Sequence, residues 1–247
     1  MTRWTLIATG LGAYTFALIA TAPASLMDVG LRSGSDGRLR LVEAQGTLWS
    51  GSGVLEMRDL SGNSGMAKGL AWRLRMIALW RAQFTYDVKV DLGTAPFPVN
   101  LSWSGIELRN ADITLPAAAL GIGIPKLAAL GLTGDMNLHI ASLSLGRVTT
   151  LGSATLQWLV AGSALSPISP LGDYELRLHG DGTAVQATLH TIQGPLQLDG
   201  QGSWINGSDP VFLVTAYTSP ELQPRLAPFL RLIAVERAAG RFELQLK

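Results

Sequence analysis

Apolar and polar residues alternate with period two through most of the chain beyond its first quarter-hundred residues, which is the signature of strands with one dry and one wet face. From Ala82 to Leu92, Phe84, Tyr86, Val88, Val90 and Leu92 fall on one side, and Gln83, Thr85, Asp87, Lys89 and Asp91 on the other. A second stretch, Tyr174 to His190, carries its own turn at Asp181-Gly182, a dipeptide that favours tight hairpins. A two-residue loop there predicts Leu178 opposite Val185, Leu176 opposite Ala187 and Tyr174 opposite Leu189, all on one face. Further strands are expected at Arg38–Gln45, Gly53–Leu60, Gly69–Arg75, Val99–Trp103, Ile106–Thr114, Asp135–Leu145, Val148–Val160, Pro195–Trp204, Val211–Tyr217 and Arg241–Leu246. Gly and Pro punctuate them at short intervals, as in antiparallel meanders. Helical periodicity is scarce: Pro125–Leu130, and Pro220–Leu232 with Ser219 placed as N-cap and Pro220 at the first helical position. Around these helices the segments Leu127–Ile140 and Leu230–Leu246 form a weak repeat of short helix, gap, glycine and alternating strand.

The N-terminus breaks the pattern. Trp4 to Ala22 is an uncharged run preceded by Arg3 and closed by Pro23. A membrane-spanning helix needs about 20 apolar residues and a signal-peptide core about 7 to 15, so length favours an uncleaved anchor. Ala22-Pro23-Ala24 offers small residues at a spacing a signal peptidase reads, which is the competing reading. The expected organisation is therefore residues 1–24 as a transmembrane anchor or signal segment, and 25–247 as a single β-rich domain. With so short an N-terminus retained inside, everything beyond Pro23 is expected outside the cytoplasm.

Composition narrows the function. Only 15% of the 247 residues are charged, against an ordinary share of about 25%. Cysteine is absent, which removes disulfides, thiolate nucleophiles and Cys-based metal sites and leaves burial to stabilise the domain. A net charge of +1 gives no electrostatic case for nucleic acid. Lys68, Arg73, Arg75 and Arg81 gather locally, but flanking acidic and polar residues make them a solvated face.

Gly46-Thr47-Leu48-Trp49-Ser50-Gly51-Ser52-Gly53 is the stretch that most invites a chemical reading. A phosphate cradle would continue into a Lys and a helix, whereas Val54-Leu55-Glu56-Met57-Arg58 alternates like a strand. A nucleophile elbow needs Gly two residues either side of the serine; Ser50 has Leu48 there and Ser52 has Ser50. The stretch is expected to be a strand and a Gly corner that packs Trp49 on a sheet. The three histidines, His139, His179 and His190, sit on polar sides of strands without metal-ligand spacing. Asp87, Asp91, Asp112, Asp173 and Asp199 are scattered singly, and no acid/base pair stands out. No catalytic, metal or cofactor residue is expected. Trp4 suits a membrane interface; the other six of the seven tryptophans, Trp49, Trp72, Trp80, Trp103, Trp158 and Trp204, are expected to bury against the sheet. With few helices to cover it, the dry face either closes against a second sheet, as a sandwich or barrel, or stays on one curled sheet as an apolar groove open to lipid.

Three stretches carry a family resemblance: Gly46-Thr47-Leu48-Trp49-Ser50-Gly51, Leu70-Ala71-Trp72-Arg73-Leu74, and Gly194-Pro195-Leu196-Gln197-Leu198-Asp199-Gly200-Gln201-Gly202. Together with the N-terminal apolar segment, they resemble protein N of the type II secretion system, also called general secretion pathway protein N. The likeness covers nearly the full chain and marks Gly46, Thr47, Leu48, Trp49, Gly51, Trp72, Gly194 and Gly200 as structural signature positions. It implies a single-pass inner-membrane protein of a Gram-negative bacterium. Its mainly antiparallel all-β domain would lie in the periplasm, carry one or two short helices, and serve the export of folded proteins without catalysis. The implied partners are the secretin or the inner-membrane platform, with the membrane held through residues 4–22. A weaker likeness, on the Gly-entry strands and the apolar face, is to AsmA-like envelope proteins that hold lipid in a β groove.

Overall fold

The computed structural model describes residues 3–58, 64–75, 84–91, 95–123, 125–146, 150–205, 211–238 and 240–246. They divide into two compact units: residues 1–74 with 87–93, and residues 75–86 with 94–247. Trp80, Arg81 and Leu92 lie outside the described residues.

In the first unit, α1 (Arg3–Ala20) is the apolar segment the sequence marks out, and it ends two residues short of the expected boundary. Large apolar residues are exposed around it, among them Trp4 at 80%, Leu11 at 65% and Phe16 at 74%. Among the described residues no helix is long and apolar enough to cross a membrane. After a kink at Pro23 comes α2 (Ser25–Gly34), which periodicity does not reveal. Gly30 and Gly34 weaken its helical signal, and tertiary hydrogen bonds replace what propensity lacks. Three antiparallel strands follow in a meander, β1 (Leu39–Gly46), β2 (Ser50–Arg58) and β3 (Ser64–Leu74). Strand β4 (Phe84–Val90) crosses the division between the units. Lys68, a member of the basic group, pairs with Asp91, while Arg73 and Arg75 are exposed.

The second unit continues as hairpins: β5 (Phe97–Ser102), β6 (Gly105–Pro116), the short helices α3 (Ala119–Gly123) and α4 (Pro125–Ala128), then β7 (Leu132–Gly146), β8 (Thr150–Ser163), β9 (Gly172–Asp181), β10 (Ala184–Gln193), β11 (Leu196–Ile205) and β12 (Val211–Thr218). Helix α5 (Gln223–Ile233), β13 (Val235–Ala238) and β14 (Arg241–Leu246) complete it. The strands pair antiparallel in the order β5 to β12, then β14, then β13. The order is linear, so this unit has one open sheet, and the sandwich or barrel alternative is corrected. The expected one or two short helices become four beyond α1 among the described residues. The gap of the weak repeat also differs: on the C-terminal side it holds β13, so the two segments are not equivalent folds.

Helix α5 begins at Gln223, three residues later than expected. Ser219 does not cap it through its hydroxyl; the Ser219 carbonyl accepts Leu222 and Gln223 N–H in a preceding turn, and Pro224 occupies the opening of the helix. One face of α5 packs Leu226, Ala227, Phe229 and Leu230 onto Leu171, Leu196, Ala216 and Phe242 in one buried cluster. Phe242 and Leu226 are fully excluded from water.

The β9–β10 hairpin keeps its predicted faces but slips by two residues: Leu178 pairs with Ala187, Leu176 with Leu189 and Tyr174 with Thr191. The Asp181 side chain explains the shifted loop. Its Oδ1 accepts the Thr183 and Ala184 backbone N–H groups, both at 2.8 Å, and the Thr183 hydroxyl at 2.9 Å, which closes an Asx turn around a two-residue loop at Gly182-Thr183, one residue on from the expected Asp181-Gly182. These bonds, from Ala184 first, hold the Asp181 carboxyl down to about 2 from 3.8. A lowered folded pKa contributes stability present above 3.8 and lost as the pH falls towards 2. The Thr183 and Ala184 amide resonances are therefore expected to titrate with a midpoint near 2. Observation of a midpoint at 3.8, or of the same titration in Asp181→Asn, would remove this account of the loop.

Candidate functional site at the helix junction and the sheet surfaces

The GTLWSG stretch is the corner between β1 and β2, and the structure puts it to a use the sequence does not suggest. Gly46 has φ +90°, and a Cβ there would lie 2.5 Å from the Ser50 carbonyl oxygen, so only glycine fits. Thr47 N–H donates to Ser50 O at 2.9 Å and its hydroxyl accepts Ser50 N–H, closing the turn. Trp49 is half-buried. Its indole N–H reaches back 30 residues to the Ile19 carbonyl near the end of α1, at 2.8 Å. Leu48 N–H donates to Ala22 O at 2.8 Å, Ala24 N–H donates to Gly46 O at 3.2 Å, and Pro23 bridges Thr47. Four contacts thus pin the joint between α1 and α2 to this corner.

Trp72 on β3 locks the corner from the other side. It is 4% exposed, its N–H is shared by the Thr47 and Leu48 carbonyls at 3.2 Å each, and its ring lies against Gly51, where a Cβ would meet Cζ2 at 2.6 Å. The signature residues Gly46, Thr47, Leu48, Trp49, Gly51 and Trp72 are brought together in one structural device.

The outer edge of β1 is occupied as well. Leu39 N–H donates to Ser35 Oγ at 2.9 Å and Leu41 N–H to Asp28 Oδ1 at 2.8 Å. Burial opposes ionisation of Asp28, but the Leu41 amide and the Arg32 and Arg40 charges outweigh it and lower its pKa. With Gly46 O held by Ala24, the edge has little backbone left to offer a new strand. In the second unit, no described strand pairs with the outer side of β13, and exposed Leu213, Leu232 and Val235 lie beside it around a shallow cavity of about 390 Å³.

Gly194 and Gly200 act elsewhere in the second unit. Gly194 turns the chain between β10 and β11 against Gly172 and the Leu171 carbonyl. Gly200 lies on the dry face of β11, where a Cβ would meet Leu189, Phe212 and Val214 at 3.2 Å. Buried Tyr174 secures the same corner by donating its hydroxyl to Leu196 O at 3.0 Å. The dry face is only half-buried across the middle of this sheet, at Leu138, Leu156, Leu176, Leu189 and Leu198. Trp158 and Trp204 are half-buried, whereas Trp103 at the β5–β6 tip is fully exposed, contrary to expectation.

On the wet face, His139 and His179 are exposed and His190 half-buried. His139 Nδ1 lies 2.6 Å from Asp112 Oδ1 and His190 Nε2 3.4 Å from Glu175 Oε1. Glu175, the one buried acid among the described residues, also accepts Gln157 Nε2 and Arg177 Nε, and these bonds lower its pKa against the opposing effect of burial. Ser153 lies opposite His179 with Asp181 two residues along, but Asp181 is already committed to its turn. Among the described residues, no group of three His, Cys, Asp or Glu is placed to hold a metal ion.

The sequence model of a protein family, type II secretion system protein N, matches residues 37–245. The chain belongs to the type II secretion system protein N family. No curated protein and no solved structure matches it. All three stretches behind the resemblance lie inside the matched region, and the GTLWSG corner and GPLQLDGQG hairpin of this type II secretion system protein N family member are the two glycine-built corners just described. Membership links the protein to type II secretion and to the cell envelope.

Proposed function

We propose that this protein is an accessory, non-enzymatic component of the type II secretion system, held at the inner membrane by α1, with its β units in the periplasm. There it contacts the secretin or the inner-membrane platform during export of folded proteins. The observation behind this reading is the pinned joint: an all-round apolar helix with exposed Trp4, Leu11 and Phe16 is tied by Trp49 and Ala22 to a rigid β corner. A helix with no polar face is costly in water and suited to lipid. Its 18 residues rise about 27 Å, short of a bilayer core of about 30 Å, so the proposed anchor is the whole apolar run Trp4–Ala22, in which Thr21 and Ala22 N–H bonds continue the last turn. Where partner recognition uses backbone pairing, β13 is the edge that offers it, because β1 is occupied.

A strain lacking the gene is expected to retain exoenzyme in the periplasm, with export restored by complementation. Export equal to wild type would overturn the secretion role. The AsmA-like lipid reading draws on one observation, the half-buried dry face. Phospholipid co-purifying with the second unit at fixed stoichiometry, together with normal export, would favour that reading instead.

A further inference from the structure

Helix α2 is held to the sheet by one side only. Asp28 and Ser35 grip the Leu39 and Leu41 amides, Arg32 is tied back to Asp28 at 2.5 Å, and Ala24, just before the helix, is 2% exposed. The opposite side presents Leu26 at 47% exposure and Val29 at 59%, one helical turn apart, with Gly30 and Ser33 beside them and no charge. This uncharged surface follows closely in sequence on α1, whose last turn shows Leu18 and Ile19 exposed at 54% and 55%. The joint between the helices has little freedom to change, since Ile19 O, Ala22 O and Ala24 N–H are all bonded to the β1–β2 corner.

We infer that α2 is an interfacial helix: its Leu26–Val29 face rests in the headgroup boundary of the bilayer that receives α1, while its Asp28 side carries β1. The inference rests on the membrane reading of α1. Continuity with α1 selects a phospholipid surface as the occupant, because a short helix with a small apolar face, fixed next to a membrane-entry point, gains contact with lipid at no further ordering cost. The GTLWSG corner then has a definite task, which is to set the depth and tilt at which the first strand leaves the membrane.

The natural sequence has no cysteine, so single-cysteine labelling of the full chain is clean. Leu11→Cys, Val29→Cys and the exposed sheet position Gln186→Cys, each carrying an environment-sensitive fluorophore, are reconstituted in phosphatidylethanolamine–phosphatidylglycerol vesicles. Nitroxide quenchers are placed either at the headgroup or mid-chain. The expected result is strong headgroup quenching at position 29, several-fold above position 186, and mid-chain quenching at position 11. Position 29 as unquenched as 186 while 11 is quenched overturns the interfacial helix and leaves the anchor intact. An unquenched position 11 overturns the membrane reading itself, and the inference with it. A blue shift at position 29 that appears only when other secretion proteins are added, without lipid quenching, assigns this face to a protein and likewise overturns the inference.

Discussion

Trp72→Ala is expected to destabilise the first unit by about 3–5 kcal/mol, the range for deleting a buried large aromatic. The ring is 4% exposed and fills the space that Gly51 leaves beside β2. Its N–H also serves two turn carbonyls, Thr47 O and Leu48 O, which no other described donor reaches in that corner. Trp72→Phe keeps most of the apolar volume and loses only the donor, so its cost should fall to about 1–3 kcal/mol. Urea unfolding of the full chain in detergent would rank wild type above Phe above Ala. Amide exchange at Leu48, whose N–H holds Ala22 O, should accelerate in the Ala variant. A loss below about 1 kcal/mol for Trp72→Ala, or unchanged exchange at Leu48, would show that the corner is held by something other than this indole.

Phe242→Ala is expected to cost a similar 3–5 kcal/mol, in order of magnitude about that of any buried aromatic, in the second unit. Among the described residues α5 supplies the apolar cover of the sheet at this cluster, and Phe242 is the residue of β14 beneath it at 0% exposure. Removing its ring leaves Leu226 and Leu230 facing a cavity that their rigid positions on α5 cannot fill. The check is hydrogen exchange across β12 and β14, which should lose protection together with α5, with a lowered thermal midpoint. Protection retained in α5 after the substitution would mean that the helix is held chiefly by contacts outside this cluster.

Legibility follows the reach of each interaction along the chain. Antiparallel strands such as β6, β7, β11 and β12 are readable because alternation reports a dry and a wet face whatever the partner strand. The β9–β10 faces are legible while the register is off by two, since period-two patterning is blind to an even shift and the deciding bonds come from one side-chain oxygen of Asp181. Helix α2 and strand β13 are not legible. The first depends on Asp28 and Ser35 finding β1 amides, and the second is four residues long beside β14. The signature residues around GTLWSG are recognisable as a glycine corner, but the 30-residue reach from Trp49 to Ile19 has no local pattern to betray it. Trp103 defies expectation because apolar size predicts burial only when a surface is there to receive it.

The occupied edge of β1 also bears on how the molecule can be cut. The family match begins at residue 37, and a soluble fragment drawn to that boundary would discard Ala24, Asp28 and Ser35 together with the apolar helix. Leu39 N–H, Leu41 N–H and Gly46 O would be uncovered in one stroke, leaving a bare template strand that two copies could zip onto each other. Clumping of such a fragment would report on the missing cover and say nothing against the fold beneath it.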